Sequence, residues 1–135
     1  MLKDALGAYS GTAEEITKLI DRQPENAEGW YDRANARSST GDFGGAETDY
    51  TMALKLGLRF REAMTAYGNR AIVRAELGNI DGAIEDCTAI IERRPRNTRL
   101  LYTAYMQRAT LRERKGDSGG ASSDRNIAAF FRPRI

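Results

Sequence analysis

Three stretches of the chain, SSTGDFGGAETDY, AELGNIDGAIEDC and ERKGDSGGASSDR, carry one pattern of Gly, a capping Asp or Asn, a small residue and a second acid, displaced by 37 and then 38 residues. A period of that length means that a single supersecondary unit is repeated, and that each copy buries its apolar stripe by stacking on its neighbours. What the chain folds into therefore depends on the shape of one unit.

Laid over one another from the glycine outward, the segments WYDRANARSST, YGNRAIVRAEL and YMQRATLRERK place Trp30, Tyr67 and Tyr105 in one column, Arg33, Arg70 and Arg108 in a second, and Ala34, Ala71 and Ala109 in a third. Spacings of three and four residues put these columns on one helical face. Gly41, Gly78 and Gly116 then end the helix, because glycine reaches the left-handed conformation of a C-terminal cap at little steric cost. Asp42, Asn79 and Asp117 follow as N-caps of a second helix. Its core-facing slots hold Ala46, Ala83 and Ala121, then Tyr50, Cys87 and Arg125, then Ala53, Ile90 and Ala128. The small residues let the two helices approach closely, and the larger ones fill the space that remains. An earlier copy is visible too. GTAEEITKLIDRQPEN, residues 11–26, aligns without a gap on GAIEDCTAIIERRPRN, residues 82–97, and Leu6-Gly7 matches Leu77-Gly78. The chain is thus expected to start inside a first helix, as in a shortened N-terminal repeat or a piece of a longer array.

This pattern resembles the tetratricopeptide repeat, a helix pair with an early aromatic, Gly or Ala in mid-helix, Gly at the turn, Ala in the second helix and Pro at the end. The copy from Met64 to Asn97 matches best, with Tyr67, Ala71, Gly78, Ala83, Ile90 and Pro95 in their slots, and the resemblance covers nearly all of the chain. Three departures stand out: Leu58 replaces the terminal Pro, three extra residues lengthen the link around Arg61, and Ser118 and Arg125 fill slots that are normally apolar or bulky. The resemblance implies an all-α solenoid of about seven antiparallel-packed helices forming a curved superhelix. Its divisions are a partial repeat at 1–26, repeats at 27–63 and 64–98, and a degenerate C-terminal repeat at 99–135, making one solenoid domain overall. It also implies a noncatalytic protein-binding scaffold without cofactors, whose first helices line a concave groove for an extended peptide or a partner helix.

The groove positions that the resemblance implies include Tyr31, Asn35 and Ser38 in the first full repeat, Asn69, Ile72 and Glu76 in the second, and Met106, Thr110 and Arg114 in the third. Gly68 and Ala75 fall among the lining positions as well. Apolar anchors among small polar groups suit a peptide of mixed character better than a highly charged one. One subclass of the family clamps a carboxylate with two Asn and flanking cations. Asn35 and Asn69 stand at its two Asn positions, but Tyr31, Met106 and Thr110 stand at the cationic ones, so carboxylate capture is not expected. The Asn amides still offer a donor and an acceptor to a peptide backbone.

The Arg33, Arg70 and Arg108 column is matched by a column of acids at Asp49, Asp86 and Asp124 on the second helices, which reads as one ion pair per repeat fixing helix register. Partly exposed pairs of this kind contribute about 0.2 to 1 kcal/mol each. A second column, Arg37, Arg74 and Arg112, takes the place of an aromatic usual in the family and has no column of partners in the pattern. Ile127, Phe130 and Phe131 end the last second helix, where a further helix normally covers such residues. The alternative function is therefore self-association through this end, giving a homodimer.

Composition narrows the remaining classes. The chain has 135 residues, 41% hydrophobic, without a long apolar run, so no membrane segment is expected. No secretory signal is visible at the start, which favours a cytoplasmic location. One Cys and no His remove internal disulfides, the usual zinc sets and His-activated nucleophiles, so Cys87 reads as a packed thiol and no metal or cofactor is expected. Residues 1–67 hold 8 basic and 11 acidic groups, and residues 68–135 hold 13 and 8, so the second half alone attracts acidic partners. Nucleic-acid binding is not expected, because the Tyr residues among those bases belong to the helix pattern and the net charge is only +2.

Overall fold

The computed structural model describes residues 11–134. Leu6-Gly7 and the other leading residues of the 1–26 segment lie outside the described residues. Those described form seven α-helices and no strand: α1 (Ala13–Arg22), α2 (Ala27–Ser39), α3 (Phe43–Leu56), α4 (Phe60–Glu76), α5 (Ile80–Glu92), α6 (Thr98–Lys115) and α7 (Ser118–Ala128). A 3₁₀ turn at Ala129–Phe131 follows α7. Internal contacts gather into two compact units, one extending to Ala66 and one starting at Tyr67, with the division falling inside α4.

The turn between paired helices is built identically in each copy. Gly41, Gly78 and Gly116 take φ of 88°, 84° and 92°. The next residue's N–H then donates back to the carbonyl of Arg37, Arg74 or Arg112, at 2.8 Å in all three. With the glycine N–H bonding to Ser38, Ala75 or Glu113, this is the double closure that satisfies the last carbonyls of a helix. The residue that completes the closure also caps the following helix. Asp42 Oδ1 accepts from the Gly45 N–H at 3.0 Å, and Asn79 and Asp117 accept equivalently from Gly82 and Gly120 at 2.9 Å. A Cβ on Gly45, Gly82 or Gly120 would lie within 2.5 Å of the capping side chain, which accounts for a glycine at this third helical position in every copy.

Alanines on facing surfaces make the helix pairs close. In the first unit Ala34, Ala46 and Ala53 are fully buried with Ile16 and Tyr50; in the second, Ala71, Ala83, Cys87 and Leu111 form one cluster against which Ala75, Ile80 and Ile84 pack. Two expectations need correction. Phe60 and Arg61 belong to the first turn of α4, so the residues read as a lengthened link extend a helix across the 63/64 boundary instead. No proline stands at Leu58 to stop it, and the Ala63 N–H bonds to the Arg59 carbonyl. Arg125 is not in the core: its side chain is exposed and pairs with Glu113 at 3.2 Å.

Across each pair runs a charged network. The Arg33 fork holds Asp49 through Nε and Nη2 at 2.8 and 2.9 Å, and Arg108 holds Asp124 at 2.9 and 2.8 Å. Arg70 approaches Asp86 to 2.6 Å. The column without predicted partners reaches the same carboxylates: Arg37 to Asp49 at 3.0 Å, Arg74 to Asp86 at 3.2 Å and Arg112 to Asp124 at 2.9 Å. Each acid is fully buried and meets two guanidinium groups. This alters the energetics expected of exposed pairs, since removing one partner from a buried pair leaves an unmatched charge at a cost of about 3 to 5 kcal/mol. The hydrogen bonds to Asp49 and Asp124 hold the Arg33 and Arg108 guanidinium groups above their ordinary pKa. Burial pushes the Asp86 carboxyl up from its ordinary value, and the hydrogen bond and charge of Arg70 work against that shift.

Candidate functional site

The first helix of each copy carries the residues expected to meet a partner. On α2, Tyr31, Asn35 and Ser38 are half-buried. The Tyr50 hydroxyl donates to Asn35 Oδ1, and the Tyr31 and Tyr50 rings meet edge to face with centroids 6.3 Å apart. Asn35 is therefore oriented from below by a buried tyrosine. In the second unit, Asn69, Ile72 and Glu76 share one face of α4, and Met106, Thr110 and Arg114 share one face of α6. Gln107 Nε2 donates to the Gly68 carbonyl at 3.3 Å, which binds α6 to α4. Ile72 is 53% exposed, an isoleucine standing out of a helix with no core role. Glu76, Thr110 and Arg114 are also exposed, and Asn69 and Met106 are half-buried. The Gly68 carbonyl accepts the Gln107 bond, and Ala75 is partly buried against the core cluster.

Each ring of the aromatic column lies beside an arginine of the same helix. Arg33 lies 5.1 Å from the Trp30 ring centre, Arg70 5.7 Å from Tyr67 and Arg108 5.5 Å from Tyr105. Two of these rings also meet equivalent residues at the ends of second helices. Arg93 lies 4.7 Å from the Tyr67 centre and donates to its hydroxyl, while Phe131 stacks on Tyr105 at 6.2 Å with an 8° tilt. Phe131 is thus half-buried, packed on Tyr105. Phe130 is 86% exposed and Ile127 36%. Arg33 and Arg108 also reach back to the preceding second helix, donating to Thr17 and Thr88 at 3.0 and 3.1 Å.

A family model described as tetratricopeptide repeat matches residues 31–98. The chain belongs to the tetratricopeptide repeat family. Its repeats are of the class that generally mediates protein–protein interaction and generally serves as a noncatalytic scaffold. The chain is also similar to Protein FlbA of Caulobacter vibrioides, with 30% identity over 106 residues that make up 78% of this chain and 17% of that protein. It therefore spans about a sixth of the length of the curated relative it matches. No helix among the described residues is long and apolar enough to cross a membrane, and no group of three potential metal ligands occurs among them. An open polar hollow of about 450 Å³ lies between Asp81, Glu85, Arg112 and Lys115. The ion pair of Lys115 with Asp81 bridges it.

Cys87 is fully buried next to Asp86. Burial first, and then the Asp86 charge, push its thiol up to about 12. At pH 8 only about one thiol in ten thousand is then ionised, and none of it meets solvent. Iodoacetamide added to the native protein at pH 8 should leave Cys87 unmodified over hours by mass spectrometry, and should label it within minutes in denaturing urea. Rapid labelling of the folded chain would show that α5 opens readily.

Proposed function

We propose that this chain is a noncatalytic receptor for a protein segment, which docks on the outward face of the first helices. The observation that carries the reading is Ile72, more than half exposed on a helix bound to α6 through Gln107. An exposed apolar side chain among polar neighbours supplies the anchor that a peptide interface needs, and the surrounding groups supply its hydrogen bonds. On this reading Asn69 and Glu76 flank the anchor on α4, and Met106, Thr110 and Arg114 form the adjoining row on α6. Tyr31, Asn35 and Ser38 are the corresponding row on α2. The Asn69 amide engages peptide backbone groups beside Ile72, the Asn35 amide offers the same donor and acceptor on α2, and the partner presents apolar side chains at alternate or helical spacing.

A substitution at exposed positions separates recognition from folding. Ile72→Asp with Arg114→Glu is expected to keep the helical content and shift the thermal midpoint little, and to release the proteins that the parent chain retains from an extract of its source cells. Retention of the same proteins by both chains would contradict the assignment.

Phe130, bare on the 3₁₀ turn beside Ile127, favours a second reading, in which copies of the chain associate through this end. Sedimentation velocity over a hundredfold concentration range should then show a dimer that Ile127→Ser with Phe130→Ser abolishes. A monomer throughout for the parent chain eliminates this reading and leaves the first untouched.

A further inference from the structure

Between α5 and α6 the chain reads ERRPRNTR, residues 92–99, with exposed guanidinium groups on Arg93, Arg94, Arg96 and Arg99. The equivalent corner between α1 and α2 reads DRQPENAE, residues 21–28. Both have the same proline and the same Asn cap: Asn26 Oδ1 accepts from the Glu28 N–H at 3.1 Å, and Asn97 Oδ1 from the Arg99 N–H at 3.0 Å. Where one corner has Arg94, Arg96 and Arg99, the other has Gln23, Glu25 and Glu28. The proline and the cap therefore do not call for basic residues.

Several features of the basic corner act against stability. Arg99 puts a cation in the first turn of α6, where the positive end of the helix dipole favours anions. Helices α1, α2, α4 and α5 each carry an acid in their first turn, whereas α3, α6 and α7 carry none, and of these three only α6 has an arginine there. Arg94 adopts φ of 47°, the one non-glycine residue in the left-handed region among those described. Gln23, its counterpart, stays at −136°. Arg94, Arg96 and Arg99 form no ion pair among the described residues, and all three are exposed. Arg93 is different, being held by the Tyr67 hydroxyl and the Ala89 carbonyl at 2.9 Å each. Strained backbone and unmatched charge gathered in one place mark positions kept for binding rather than folding.

We propose that Arg94, Arg96 and Arg99 form a docking surface for a short acidic polypeptide segment. Guanidinium forks take carboxylates in paired hydrogen bonds, and three of them on one corner match closely spaced Asp or Glu side chains. A nucleic acid fits less well. The Tyr67 ring is already in contact with Arg93 and Arg70, and a chain of net charge +2 exerts little long-range pull on a polyanion.

Fluorescence anisotropy on the full chain, with a labelled oligoglutamate peptide and an oligothymidylate of equal length, tests this. The peptide is expected to bind more tightly than the oligonucleotide, with affinity falling as salt rises. Arg94→Gly, Arg96→Ala, Arg99→Glu should weaken peptide binding by about tenfold or more while the thermal midpoint stays level or rises. Arg96→Ala alone, which touches neither the cap nor the strained residue, should weaken binding severalfold. Arg59→Ala with Arg61→Ala, removing exposed guanidinium groups ahead of and within α4, should leave binding unchanged. The proposal is overturned by a parent chain that ignores the peptide, by a triple variant that binds as tightly as the parent or melts well below it, by an equal loss in the Arg59, Arg61 control, or by tighter binding of the oligonucleotide.

Discussion

A carboxylate shut away from water is tolerated only when its charge is matched and its lone pairs are used. Asp49, Asp86 and Asp124 meet that condition by drawing two arginines each from the facing helix. The rest of the repeat is arranged around the requirement. The two arginines stand four residues apart on one helical face, so both reach a single acid. The first also lies against the aromatic column. The second lends its backbone carbonyl to the closure of the turn, so the same residue ends one helix and ties it to the next. Alanines at the crossing bring the helices near enough for the guanidinium groups to span the gap.

Packing alone specifies such a pair weakly. Alanine faces slide past one another with little change in buried area, whereas a forked hydrogen bond to a buried acid has one register. The network thus supplies directional information that small apolar residues lack, while the capping turns set the length of each helix. Stability and register come from different parts of the unit, and the surface of the first helix is left free to vary.

Much of this could be read in the amino-acid sequence. The glycine, the cap and the aromatic, Arg and Asp columns recur with the period, and periodicity is what a stacked fold imposes on its chain. What could not be read follows from interactions that are not one to one. Arg37, Arg74 and Arg112 share the carboxylates already taken by Arg33, Arg70 and Arg108, and Arg37 and Arg112 also approach the capping Asp42 and Asp117 to 3.6 and 3.9 Å. Phe131 looked unprotected because its equivalent, Arg93, has different chemistry, yet both do the same thing by covering the ring of a first helix. The start of α4 was hidden by an insertion that lengthens a helix in place of a loop. Of the candidate interaction residues, their placement on first helices was legible, but exposure was not: Ile72 and Met106 are similar in type and differ in burial.

If the shared carboxylates fix each helix pair, the arginine and the acid must lose their effect together. A double-mutant cycle on Arg108→Met and Asp124→Leu, followed by urea unfolding, measures this directly. The account predicts that the double variant is clearly more stable than the sum of the single losses implies, with a coupling of at least about 2 kcal/mol. Single losses that add to within about 0.5 kcal/mol would mean that the two side chains act independently, and would contradict the account.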